Sequence, residues 1–270
     1  LWSWCKRVWR HSKVYCEIFS VSTGTPPTYS VGSFVNSASA LTKLTPNAWS
    51  TVYGKNLLSD MTCPVPTNPT INLCGTSIKV NGQLTQLNYA SKTQVNFLMP
   101  DVSGSVSIEV ANRDGVGTTV TLPVQAEIMS LFSQSGNGKG LVAALHWTTP
   151  GIARGTVVTM QNPAQANYPL IVYASGLGNY SSLSSKPTVK INRRVLPANL
   201  ISSITYTNGQ YQINIDRLPL VDLNISSTGT YSIQLCGGSI CGNVLNLPVQ
   251  YLKTTTTTAN TVLAKNTLRP

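Results

Sequence analysis

The sequence predicts an all-β protein: two tandem immunoglobulin-like β-sandwich domains. Three observations predict it. Only 10% of the 270 residues are charged and 41% are hydrophobic, and the prominence of Thr, Ser, Asn, Gly and Val favours strands and tight turns over helices. Strand-like runs recur about every 8–15 residues between turn signals, the spacing of a sandwich. The chain also repeats itself at an offset of roughly 120 residues.

The repeat sets the organisation. Residues 105–125 read SVSIEVANRDGVGTTVTLPVQ, and residues 230–250 read TYSIQLCGGSICGNVLNLPVQ, aligned without a gap. Upstream, TVYGKNL (51–57) answers IVYASGL (171–177). Between these matches lie TQVNFLMP (93–100) and YQINIDRLP (211–219), in the same order. LCGTSI (73–78) and LCGGSI (235–240) break that order and are read as coincidence. Residues 1–31 are then a leader and linker, 32–125 a first domain, 126–250 a second, and 251–270 a Thr-rich tail expected to be disordered.

The elements follow in order. The leader LWSWCKRVWRHSKVYCEIF joins Trp to Lys and Arg, the pattern of an interfacial helix. Its helical stripe is imperfect, which favours a linker, and any membrane contact is confined to residues 1–20. STGTPPTYS (22–30) reads as a linker. In the first domain SIKV meets Asn81-Gly82 and then QLTQLNY, a type I′ hairpin. In the second, ISSITY meets Asn208-Gly209 and then YQINI, with the same turn in the same part. SGNGKG (135–140) has the glycines of a phosphate loop but no following Ser or Thr, and reads as a flexible loop or hairpin tip. No apolar run approaches the roughly 18 residues of a membrane helix.

Charge and cysteines narrow the class. The net charge is +11, spread as +3 over residues 1–20, +3 over 252–270 and the rest between. A nucleic-acid binder concentrates its cations; here the tight pair is Arg193-Arg194, and no nucleic-acid partner is expected. Six cysteines fall into local pairs: Cys5 with Cys16, Cys63 with Cys74, and Cys236 with Cys241. Close spacing without CxxC favours disulfides in an oxidising compartment. Zinc and buried free thiols are the competing readings, but His11 and His146 sit in no ligand spacing.

Catalytic constellations are missing from the pattern. His146 is the one histidine inside the repeats, no G-x-S-x-G elbow occurs, and GGSICG places its second glycine one position late. Asp60, Asp101, Glu109, Asp114, Glu127, Asp216 and Asp222 form no evident acid pair. A calcium-binding junction would need several carboxylates, and between Pro123 and Phe132 there is only Glu127. No enzyme activity, cofactor or metal is expected. Sugar recognition would use exposed aromatics beside amides. Trp49, Tyr53, Tyr89, Trp147, Tyr173, Tyr180, Tyr206 and Tyr211 are the candidates. Tyr180, in the loop GLGNYSS, is the best placed, whereas Tyr53 and Tyr173 are equivalent and read as structural.

The repeated Gln-x-Asn pair, Gln94 and Asn96 in one copy and Gln212 and Asn214 in the other, reads as architecture. In a strand the amides share one face, and Val95 and Phe97, or Ile213 and Ile215, share the other. Both copies keep the amides, which are expected to bond backbone of a neighbouring loop.

Taken in order, SFVNSASA (33–40), TVYGKNL, IKVNG, LNYASKTQVNFLMP, LPV, IVYASGLG and GQYQINIDRLP resemble a Solibacter-type family of uncharacterised C-terminal domains of acidobacterial secreted proteins. The resemblance covers about residues 33–250. The G-x-N-L turn is similar to those of the IPT/TIG branch of immunoglobulin-like folds. SKTQ stands where the family has SPTQ, and MSLF (129–132) replaces its Pro-Gly-Phe. The resemblance implies a secreted or cell-surface protein whose domain follows other extracellular modules, with no established function. The expectation is a structural or adhesive module of a larger extracellular protein, whose partner is a polysaccharide or another surface protein. Its oligomeric state is left open, and a glycan-binding module is the alternative.

Overall fold

The computed structural model describes residues 24–59, 63–148, 151–178 and 186–251, with the backbone of two further strands at 4–10 and 13–19. The described chain is all-β apart from short 3-10 turns. No described helix is long and apolar enough to cross a membrane.

Two sandwiches lie in tandem. In the first, one sheet has the spatial order Phe34–Asn36, Trp49–Tyr53, Gln94–Leu98, Leu87–Ala90. The facing sheet runs Gln83–Leu84, Ser77–Val80, Gly104–Asn112, with Gly115–Val116 and Val120–Val124 on the far side. With Gln83–Leu84 counted as an extension of the third strand, the order is first-second-fifth-fourth against third-sixth-seventh. That is the immunoglobulin-like arrangement.

The second sandwich repeats it. Ser130–Leu131 and Ala144–His146 pair end to end along one edge of Leu170–Ser175, and Gln210–Ile215 and then Ile201–Thr207 follow on the other. The other sheet runs Arg194–Val195, Thr188–Ile191, Gly229–Gly237, Ile240–Gln250 and Ala164–Gln165. Ala164–Gln165 joins the last strand in parallel, as Leu44 does opposite Val124 in the first copy.

Period-two alternation builds each core. Val95 and Phe97 point inward from their strand, as do Val106, Ile108 and Val110 from theirs. Tyr211, Ile213 and Ile215 do the same in the second copy. The cores are separate: one gathers residues from Phe34 to Leu122, the other from Met129 to Val249. In the first, Tyr29, Phe34 and Phe97 pack edge to face at 5.5 and 6.2 Å.

Two expectations need correction. The leader is a β-hairpin, with Trp4–Arg10 antiparallel to Lys13–Phe19, and no helix. Its Val, Tyr, Ile and Trp content suits paired strands. Asn208-Gly209 does not match Asn81-Gly82, although both are hairpin turns with positive φ at each position. Asn81-Gly82 joins the third strand to its extension, and Asn208-Gly209 joins the fourth strand to the fifth. The counterpart of Asn81-Gly82 is Asn192-Arg193, with φ of 51° and 64°. Tyr53 is 45% exposed at the end of its strand.

Candidate functional site at the joint between the sandwiches

Disulfides join Cys63 to Cys74 and Cys236 to Cys241. The second spans the hairpin pair that Ala111 and Val116 occupy in the first copy. The Cys5–Cys16 pairing involves side chains outside the described part of the chain.

The Gln-x-Asn pair sits on the fifth strand of each sandwich, on the outer face. Its register is the same in both copies: Tyr53 stands opposite Gln94, and Tyr173 opposite Gln212. The amides do not reach for loop backbone as expected. Gln94 Nε2 donates to Asn96 Oδ1 at 3.0 Å, and Thr51 Oγ1 donates to the same oxygen at 2.9 Å. Ser37 Oγ, just past the first strand, lies 2.9 Å from Thr51 Oγ1 and extends the chain of bonds. In the second copy Gln212 Nε2 donates to Asn214 Oδ1 at 2.8 Å, and Asn214 Nδ2 donates to Ser203 Oγ at 2.7 Å. Each pair is a polar ladder across the sheet. In the first copy the sequence could not show that, because Thr51 lies 45 positions from Asn96.

In the first copy this face meets the second sandwich. Trp49 and Ile128 are buried yet belong to neither core. Trp49 Nε1 donates to the carbonyl oxygen of Asn208 at 2.5 Å, and Trp49 N to that of Gly209 at 3.4 Å. Two positive-φ glycines of the second sandwich make the approach. A Cβ on Gly209 would strike Leu98 and the indole, and one on Gly138 the Ser39 backbone. Tyr206, beside this turn, has its phenol pKa raised, chiefly by burial, with Asp101 of the first sandwich adding to the rise.

Two clefts flank the contact. One, about 460 Å3, is bordered by Trp49, Asn88, Tyr89, Asn96, Asn208 and Gln210. The other, about 240 Å3, lies among Ser37, Thr51, Tyr53, Gln94 and Asn96, with Phe132 across from them. Asn96 borders both. Asn88 Oδ1 is buried without a hydrogen-bond partner.

The other candidates fare as follows. His146 is 1% exposed in its strand, with Nε2 3.3 Å from the Asn162 carbonyl. Trp147 carries the Arg154 guanidinium on its ring, 3.2 Å from the centroid, which closes that face to a sugar. Tyr211 is 4% exposed and donates to the Gly178 carbonyl, with Tyr206 packed on it at 5.0 Å. Tyr180 lies outside the described residues. Among the described residues no group of three or more His, Cys, Asp or Glu could hold a metal.

No family model matches the chain, and no curated protein matches it. Solved structures similar to it include a tandem fragment of titin (11% identity, TM-score 0.25), with 77% of this chain and 62% of that one covered. Another is a Bacteroides ovatus protein, SGBP-B of a mixed-linkage glucan utilisation locus, in complex with a mixed-linkage heptasaccharide. It is 13% identical at a TM-score of 0.30, over 77% of this chain and 43% of that one. A titin Ig tandem is 11% identical at a TM-score of 0.23, over 83% and 97%. Likeness at this level does not reach function. The strand order of the two sheets in each sandwich is what fixes the chain as a tandem of immunoglobulin-like β-sandwiches.

Proposed function

We propose that the chain is a non-catalytic structural or adhesive module of a larger secreted or surface-attached protein. Its units, 32–125 and 126–250, touch through Trp49 and the Asn208-Gly209 turn. Trp49 carries this reading. A large aromatic that a recognition surface would expose is instead committed to fastening one sandwich to the other. The two disulfides suit an oxidising compartment. The burial of His146 supports a non-catalytic role. The resemblance to the Solibacter-type secreted domains agrees with the compartment. Force spectroscopy on the whole chain tests the reading. A load-bearing tandem unfolds in two discrete steps, and a gradual, featureless extension would overturn it.

A second reading, glycan binding, is favoured by the larger cleft at the joint. It sets Tyr89 beside four amides, and one of them, Asn88, has a buried oxygen without a partner. A screen of neutral glycans against the whole chain separates the two readings.

A further inference from the structure

The two copies carry different charge on the outer face of the sheet that ends in the closing hairpin. In the first, Lys79 stands opposite Glu109 and pairs with it at 3.5 Å. In the second, the matched residues are Lys190 and Gln234. The cation is kept and its acid is gone. Gln234 Nε2 donates to the Gly242 carbonyl at 2.9 Å, and Lys190 Nζ is left 3.7 Å from the Cys241 sulfur. The adjoining turn changes in the same direction, since Gly82 and Gln83 become Arg193 and Arg194. All three differences add positive charge. Among the described residues no carboxylate pairs with Lys190, Arg193 or Arg194.

The backbone gives a second, independent observation. Arg193 holds φ of 64° where the first copy has Gly82 at 80°. An L-residue is strained there and glycine is not, and such strain is retained where a side chain has a task. The turn is braced, because Asn192 Nδ2 donates to the carbonyls of Leu223 and Asn224 at 3.1 and 2.9 Å. Lys190, Arg193, Ser232, Gln234 and Val244 line a cleft of about 310 Å3.

We propose that this face binds an anionic polysaccharide, one bearing carboxylates on its sugar rings. Lys190 and Arg193 take a carboxylate, the arginine through two parallel hydrogen bonds. The Ser232 hydroxyl and the Gln234 amide take ring hydroxyls. Exposed Val244 lies under the apolar face of the ring. No aromatic lines the cleft, so nucleobases have no stacking platform. The proposal deepens the adhesive reading by naming a ligand class. It rests on a separate face, so its failure would leave the unfolding steps untouched.

Binding of the whole chain to polygalacturonate tests it. Lys190→Gln with Arg193→Gly should weaken binding by at least about tenfold, with melting no lower than wild type. Gln234→Glu, which rebuilds the acid of the first copy, should do the same alone. Lys43→Gln with Lys55→Gln removes equal charge from exposed positions of the first sandwich and should leave binding intact. Three results would overturn the proposal: no binding to polygalacturonate, equal loss in the control pair, or binding unchanged in the site variants. Capture of phosphatidylglycerol vesicles or single-stranded DNA in place of polygalacturonate would overturn it too.

Discussion

The indole nitrogen of Trp49 is bonded to the carbonyl oxygen of Asn208, 159 positions away, and this bond fastens two sandwiches that each have a core of their own. The turn that offers the carbonyl is tight because Asn208 and Gly209 both adopt positive φ, 45° and 83°. A Cβ on Gly209 would lie 2.6 Å from the Leu98 side chain and 2.7 Å from the indole nitrogen. Gly209→Asn, which brings a Cβ but tolerates the positive φ, should therefore part the sandwiches and leave both folded. Small-angle scattering should show a larger radius of gyration with an unchanged far-ultraviolet spectrum. An unchanged radius would mean that the joint does not depend on this approach.

Asn96 is the node of its ladder, since one oxygen accepts from both Thr51 and Gln94. Asn96→Leu strands two donors that are partly covered. The expected loss is about 1–2 kcal/mol in denaturant unfolding, the range for removing a shared acceptor. Asn96→Asp keeps the acceptor and should lose less. An equal loss for both would show that packing, and not the ladder, sets the role of the residue.

The sandwich fold was legible because its signals are local. Alternation in Gln94–Leu98 and Gln210–Ile215 marks strands, and the matched order of motifs marks duplication. The β-formers of Trp4–Arg10 and Lys13–Phe19 suit a hairpin, but Trp beside Lys and Arg is also the pattern of an interfacial helix, so the sequence alone leaves the leader a linker. The Asn192-Arg193 turn is hidden because arginine does not announce a positive φ, whereas Asn208-Gly209 carries the same visible signal as Asn81-Gly82. The joint was not legible at all. Gly138 and Gly209 look like ordinary loop or turn glycines, and only assembly in space shows that both give way to the first sandwich.

Arg193 occupies a conformation that glycine takes freely. Arg193→Gly relieves the left-handed strain and loses part of that gain to a more flexible unfolded chain. A net stabilisation of roughly 0.5–1 kcal/mol is expected. The mirror change, Gly82→Arg in the first sandwich, should destabilise by a similar amount. Thermal unfolding of the two variants checks the pair. A destabilised Arg193→Gly would show that the arginine side chain outweighs its backbone strain.

The Cys236–Cys241 bridge clamps a hairpin whose counterpart, Ala111 opposite Val116, holds the same register without one. Replacing both cysteines by serine should cost about 2 kcal/mol, the loop-closure value for so short a span. The second sandwich should still unfold cooperatively, because the rest of the long hairpin pairing remains. Loss of cooperative unfolding in that variant would show that the bridge is needed by the fold.

Tyr29 links the linker to the first core. Its hydroxyl accepts the Val110 backbone N–H at 2.9 Å, and its ring meets Phe34 edge to face. Its pKa is raised above 10.0, chiefly by burial and further by Glu109, against the lowering from the Val110 bond. The folded state therefore holds this proton more tightly than the unfolded chain does. The resulting stability is fully present below pH 10 and is lost as pH rises through the folded pKa. Tyr29→Phe should remove this part of the alkaline dependence, although it also lowers stability at neutral pH through the lost hydrogen bond. Denaturant titrations at neutral pH and above pH 10 check it. The stability gap between wild type and variant should narrow at the higher pH. A gap that stays constant would show that Tyr29 does not ionise on unfolding in that range.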